Sequence, residues 1–384
     1  MRQALRGRVA SVPLTLVIAF TSFLTLGLPV SLLGVAWPSV RETFALPLDA
    51  MGAMLLAVMA GNVAASFSSG ALSARLGFGM FLMLSCAVLV VGLMTTALAP
   101  AWWVMLVGGA VSGVGFGALN SGVNTYLATH YGSRLMNLLH ASFGLGATAG
   151  PLVLTALMEA GFVWRWGWAL VGVVQMVFVA CFALTRDRWR VGDQQPRGSA
   201  ASARGDGASV TVGASWRETL ALPLMWIGIG LFFASTGVQA AAGQWSYTLF
   251  TEGRGVDTAL AGFWAGMYWG MITLARVFFG IVGDRLRFST LLRLSIGGLI
   301  VGAALIWVNL SEAASFLGLA VMGLAAAPIY PLLVLTVPRQ LGTAHAANGI
   351  GFQIAAGSLG GALVPALAGV LAERAGLETL GPFM

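Results

Sequence analysis

Residues Gly70–Gly77 read GALSARLG, and Gly280–Arg287, 210 positions later, read GIVGDRLR. The two octets occupy equivalent places between long apolar runs. The same shift superposes Glu42 on Glu252, Gly52 on Gly262, Arg75 on Arg285 and Leu76 on Leu286. Further along the shift becomes 214, pairing Gly146 with Gly360, Pro151 with Pro365 and Glu159 with Glu373. Matches kept in this order mark a chain built from two copies of one plan.

Outward from those octets, 58% of the residues are hydrophobic and 9% are charged, whereas a soluble domain carries roughly a quarter charged residues. Mean hydropathy is +0.88. Apolar runs long enough to cross a hydrocarbon core of about 30 Å lie at Leu14–Trp37, Met51–Phe67, Met80–Leu98, Trp102–Tyr126, Leu135–Met158, Trp164–Leu184, Leu222–Tyr247, Ala259–Val282, Leu291–Leu310, Ala313–Val337 and Ala346–Ala372. These eleven spans predict an all-α membrane protein. The first is longer than a cleaved leader and opens a polytopic series, so it reads as retained. The closing GLETLGPFM, ending at Met384, reads as the approach to a truncated twelfth helix.

All 20 basic residues are arginine. With the N-terminus inside, Arg2, Arg6, Arg8, Arg75, Arg134, Arg285, Arg287, Arg293, Arg339 and the central loop are cytoplasmic, and Arg41, Arg165, Arg254 and Arg374 are outside. The positive-inside bias therefore predicts a multi-pass protein of the bacterial cytoplasmic membrane with a cytoplasmic N-terminus. The basic balance is an orientation signal that calls for the lipid bilayer as partner and not for nucleic acid. A monomer is expected. Cys86 and Cys181 fall in apolar runs and read as buried free thiols.

The tract TRDRWRVGDQQPRGSAASARGDGASVTVGASWRETL (residues 185–220) has no hydrophobic period and reads as a polar linker. The expected organisation is a six-helix bundle over residues 1–184, a linker over 185–217 and a second bundle over 218–384 with five clear helices. At each repeated turn the opening glycine lets two helices approach closely, and an Asp–Arg pair beside helix ends can latch the packing. Asp284 and Arg285 supply that pair in the second half; in the first, Arg75 is preceded by Ala74. Arg276, about two turns before Asp284, can reach the same cluster, so Arg75, Arg276, Asp284 and Arg285 are the gating candidates.

In the fourth run, GGAVSGVGFGALNSGVN sets Gly109, Gly113 and Gly117 at four-residue intervals, a smooth ridge for another helix backbone. Asn120 and Asn124 continue the stripe, either bonding a neighbouring helix or lining a cavity. In the fifth, NLLHASFGLGATAGPL (137–152) holds His140 inside an apolar run, with Pro151 set to bend the helix. An ionisable group at such depth marks a pathway or site by default; the quiet alternative is a neutral imidazole donating to an amide.

The paired turns resemble the G-x-L-a-D-r-x-G turn of the major facilitator superfamily. The glycine series of the fourth run, NLLHASFGLGATAGP, AWPSVRETF, WRW and GVQAAAGQW together resemble its fucose-permease-like branch. The resemblance implies the major facilitator fold, two six-helix bundles related by a pseudo-twofold axis, and sugar/proton symport. GATAGP is also similar to the G-x-x-x-G-P element of the superfamily's drug/proton antiporters, which keeps an exporter of lipophilic compounds as an alternative. A non-transporting membrane sensor or scaffold is the alternative of another class, for which the linker offers no module.

All 13 carboxylates fall at span ends or in loops. Proton coupling needs a buried group that can titrate, which leaves His140 as the coupling candidate. The candidate substrate-binding groups are Asn120, Asn124, His140, Gln175, Gln239, Gln244, Trp245, Tyr268 and Gln353. Amides donate and accept together while aromatic faces cover apolar sugar faces, so the expected cargo is a small neutral polar solute such as a sugar, with protons as candidate co-substrate. No nucleotide loop, metal cluster or nucleophile–base set is legible, so neither enzymatic activity nor a cofactor is expected.

Overall fold

The computed structural model describes residues 13–131, 133–189, 214–282 and 287–384. Its long helices are α1 (Leu14–Phe44), α2 (Met51–Leu76), α3 (Phe78–Ala97), α4 (Trp102–His130), α5 (Ser133–Glu159) and α6 (Arg165–Thr185), followed after the linker by α7 (Pro223–Thr248), α8 (Thr258–Val282), α9 (Phe288–Val308), α10 (Glu312–Ala326), α11 (Ile329–Leu341) and α12 (Ala346–Ala375). Lipid offers no partner to a backbone N–H or C=O, so an unbroken helix is the economical way across. By length and composition, ten helical stretches among the described residues qualify as membrane spans. This is a multi-pass membrane protein.

One expected span is broken. The run Ala313–Val337 folds as α10 and α11, interrupted at Ala327–Pro328. Pro328 and Pro331 have no N–H to return to the preceding turn, so the ladder fails midway through the run.

Each half is held by close backbone crossings. The ridge of α4 receives α2: Gly109 lies against Met54, Gly113 against the Val58 carbonyl and Gly117 against Asn62. In the first half α1 crosses α5 where Gly27 meets Phe143 and Gly146 meets the Leu24 carbonyl. The second half repeats the crossing between α7 and α12, where Gly237 meets Val364 and Gly360 meets the Phe233 carbonyl. Gly27 and Gly237 are related by the first repeat shift, Gly146 and Gly360 by the second. A Cβ at any of these four would overlap its neighbour, so dispersion between bare backbones replaces the hydrophobic drive that lipid removes.

The α6 helix seats on α3 and α1. The equivalent seat in the second half, formed by α7 and α9, carries an apolar groove of about 240 Å³ lined by residues that include Leu231, Val238, Leu292, Ile296 and Met384. Chain parity puts the ends of the linker, Thr185 and Ser215, on one membrane face with the α2–α3 turn; that face is called the linker side, and the opposite one the far side.

Candidate functional site

The two halves meet mainly on the far side, through α1 with α7, α2 with α12, and α5 with α8. Gly34 of α1 lies against the backbone of Gly243 and Gln244, and Gln244 Nε2 donates to the Val30 carbonyl at 3.1 Å. Gly52 of α2 lies against Ala366 of α12. Carboxylates complete the seal. Arg41 pairs with Glu252 at 3.0 Å, the Leu48 N–H donates to Glu373 Oε2 at 2.6 Å, and the Thr258 hydroxyl donates to Glu159. Glu252 sits in a π turn, Leu249–Gly253, that extends α7. Leu48 and Thr258 are repeat-related, as are Glu159 and Glu373, so the last two bonds are the same latch made twice. A cleft of about 570 Å³ lies at the seal, lined by Arg41, Glu42, Glu252 and Glu373 among others.

No hydrogen bond or ion pair joins the halves on the linker side among the described residues. The last turns of α2 lose their cover: Phe67 is 84% exposed, and Leu72 and Leu76 are exposed as well. The close approach expected at Gly70 is not made, since a Cβ there would meet nothing within 4 Å. Arg75 is exposed and forms no ion pair with a described residue. Asp284 and Arg285 lie outside the described residues. The cleft between the halves therefore opens to the linker side.

Its wall is built by α5 and α8, which run antiparallel. Gly262 lies against Thr155, Gly266 against Leu152 and Gly144 against Thr273. One turn further toward the linker side come His140 and Arg276. His140 is exposed and edge-on to Phe23 of α1, ring centroids 6.1 Å apart, with no hydrogen bond to a described residue. The quiet alternative, donation to an amide, is not made with any described residue. Arg276 is half-buried and within electrostatic reach of His140, Tyr268 and Tyr330. It makes no hydrogen bond or ion pair with a described residue. Its surroundings are thus the cleft wall, where this gating candidate stands beside the binding candidates His140 and Tyr268. An arginine costs about 3 kcal/mol on insertion scales at the centre of a span and less toward its end; Arg276 lies between the two, within about two turns of the end of α8.

Tyr268 is buried and its hydroxyl donates to the Gln239 carbonyl at 2.8 Å, which ties two site candidates together. Tyr330 stands in the first turn of α11, directly after the break at Pro328, with its ring 4.8 Å from that of Phe232. On the α4 side, Asn124 Nδ2 donates to the carbonyl and to Oδ1 of Asn120 at 2.9 and 3.1 Å, so these amides first satisfy each other. Asn62 of α2, against Gly117, adds a third amide beside them. It was legible as the only amide in the run Met51–Phe67.

Four candidates leave the site. Gln175 is fully buried with its Oε1 and carbonyl 3.5 Å from Cys86 Sγ, sealed between α3 and α6 at the back of the first bundle. Gln244 is part of the far-side seal. Trp245 is fully buried and donates Nε1 to the Pro365 carbonyl at 2.8 Å, pinning α7 to α12. Gln353 is buried against Gly228 within the same helix pair. In each case a helix face that periodicity could not orient points into a bundle.

The sequence profile of the Major Facilitator Superfamily matches residues 16–376. The chain belongs to this superfamily. Among curated proteins it is similar to Bypass of stop codon protein 6 of Saccharomyces cerevisiae, at 23% identity over 96% of this chain and 79% of that protein. Among solved structures it is similar to the nucleoside transporter NupG, with a TM-score of 0.75 at 15% identity over 96% of this chain and 95% of that one. It is also similar to a bacterial homologue of the human lysosomal transporter Spinster, with a TM-score of 0.71 at 15% identity over 95% and 84% of the two chains. The peptide transporter POT aligns with a TM-score of 0.72 at 15% identity over 98% and 93%. At these identities the likeness is one of fold. This facilitator is a membrane transporter with its cleft open to the linker side.

Proposed function

We propose that this facilitator moves a small, polar, hydroxylated solute such as a sugar by alternating access, as a monomer and without covalent chemistry. The linker side is the cytoplasm of a bacterial inner membrane in this reading, so the state described is open inward. The observation that carries it is the asymmetry of the bonds between the halves: four on the far side and none among the described residues on the linker side. A protein that works by rocking two halves needs such a seal to be made of few, reversible bonds. Amides at Asn62, Asn120 and Asn124 in the first half, with the tyrosines and arginine of the second, suit a ligand rich in hydroxyls. Proton symport through His140 completes the proposal, because His140 is the ionisable group at cleft depth that can change charge near neutral pH.

The test is whether the linker side closes. On α2, Gly70 shares a helix face with Gly52, five turns away; carrying the Gly52–Ala366 contact along the antiparallel register brings Gly70 beside residues 348–351 of α12. Cysteines at Gly70 and Gly351, with Cys86 and Cys181 replaced by alanine, should form a disulfide slowly under mild oxidation. Complete absence of the cross-link, under conditions where each cysteine alone is readily labelled, would sink the alternating-access reading.

A further inference from the structure

We infer that the solute of this site is an organic oxyanion, a hydroxylated compound whose carboxylate or phosphate is gripped by Arg276. The inference deepens the transport reading above and rests on it. Arg276 stands one turn beyond the last tight α5–α8 contact, and what faces it is His140 from α5, Tyr268 from its own helix and Tyr330 from α11. None of these brings a negative charge at neutral pH. Three acids of the neighbouring helices are committed at the far side: Glu252 to Arg41, Glu373 to the Leu48 N–H and Glu159 to Thr258. Among the described residues the cation therefore has no ion partner, and the place where one is missing is the substrate cleft.

The repeat shows that the fold does not require this charge. Ser66 occupies the position equivalent to Arg276 in the first half, at the shift that superposes Gly70 on Gly280. A cation placed in one copy only, on a cleft wall, at a cost to insertion, fits recognition better than scaffolding. The donors around it match a carboxylate. The guanidinium offers a planar fork that binds two oxygens at once. Tyr330 has a hydroxyl that makes no hydrogen bond with a described residue, whereas the Tyr268 hydroxyl is already engaged with Gln239. Tyr330 also belongs to the first turn of α11, whose start in mid-run brings the partial positive end of a helix to the same level. The amides of the α2–α4 pair, Asn62, Asn120 and Asn124, remain for hydroxyl groups. One bound monoanion would neutralise the wall and so remove the charge that opposes closure around the solute.

The probes are D-gluconate, D-glucose and D-glucose 6-phosphate, tested on purified full-length protein by thermal shift and by competition for labelling of a cysteine at Gly70. At least one of the two anions should bind tenfold or more tightly than glucose; gluconate winning assigns a carboxylate and the phosphate ester winning assigns a phosphate. Arg276→Gln should abolish the preference for the anion while leaving the ligand-free Tm unchanged or higher, since it removes an unpaired charge, and Arg276→Lys should keep part of the preference. Glucose binding as tightly as either anion, no binding of either anion, or an anion preference that survives in Arg276→Gln would each overturn the inference. The Gly70–Gly351 cross-link separates the two readings: if it forms while anion selectivity fails, only the oxyanion assignment falls.

Discussion

Substituting Gly34 by alanine should shift the facilitator from the state described here to the opposite one without unfolding it. Gly34 is packed between the bundles and not within either. A Cβ there would stand 2.9 Å from the Gln244 carbonyl oxygen, 3.0 Å from that of Gly243 and 3.1 Å from the Gln244 Cα, where ordinary contact is 3.4–4 Å. All three neighbours are backbone atoms that cannot rotate away, so α1 and α7 must part by roughly half an ångström. Overpacking of this kind costs about 1–3 kcal/mol. The Gln244–Val30 hydrogen bond, now 3.1 Å, would stretch beyond useful range, forfeiting about 1 kcal/mol more. At the low end of that range the two terms reach about 2 kcal/mol, which corresponds to a population change of about thirtyfold, at 1.4 kcal/mol per decade. The far-side-open state separates these helices and bears none of the cost. With Cys86 and Cys181 replaced by alanine, a cysteine at Gly70 should label at least tenfold more slowly from the linker side, and one at Ala366 correspondingly faster from the far side. If Tm falls while both labelling rates stay the same, the contact persists in every state and the reasoning fails.

Other substitutions separate structure from function. Gly146→Ala places a Cβ on the Leu24 carbonyl within one bundle, so it should lower Tm in either state, by the equivalent of about 1–3 kcal/mol; unchanged thermal melting would contradict the α1–α5 crossing. Gln175→Leu should leave solute binding and cross-linking untouched and hold or raise Tm, because it removes a buried Nε2 without a partner; lost binding would return Gln175 to the site. On the far side, Arg254 bonds Glu378 at 2.7 and 2.8 Å, and that hydrogen bonding holds the Glu378 carboxyl below its ordinary value of 4.5. A depressed folded pKa stabilises above the unfolded value and is lost as pH falls through the folded one. Melting curves from pH 6 down to about pH 3 should therefore drop more steeply for the wild type than for Glu378→Gln, most of the difference arising below about pH 4.5; identical slopes would deny the pair a role.

Much of the architecture was legible because lipid imposes a simple rule on sequence. Apolar runs of span length predicted the helices, and α2 and α5 extend their runs Met51–Phe67 and Leu135–Met158 by only a few turns. The spacing of Gly109, Gly113 and Gly117 predicted a backbone contact, and α2 supplies it. The break at Pro328 was missed because prolines in an apolar run, here Pro328 and Pro331, are also compatible with a kink. The binding set was read less well. Gln175, Gln244, Trp245 and Gln353 share composition with cleft-lining residues, but a helix that is apolar on every side gives no periodic signal of which face meets the cleft.

By itself the sequence determined that the chain crosses the membrane many times, where most of the spans lie, and the confinement of acids to span ends, since each follows from the thickness and low polarity of the bilayer core. Only the tertiary structure decided that Glu159 and Glu373 make one latch twice, that the cleft opens to the linker side, and that Arg276 looks into it with no ion partner among the described residues. Those facts depend on which helix faces another, and in lipid that is chosen by close steric fit between distant segments, a property carried by no single stretch of chain.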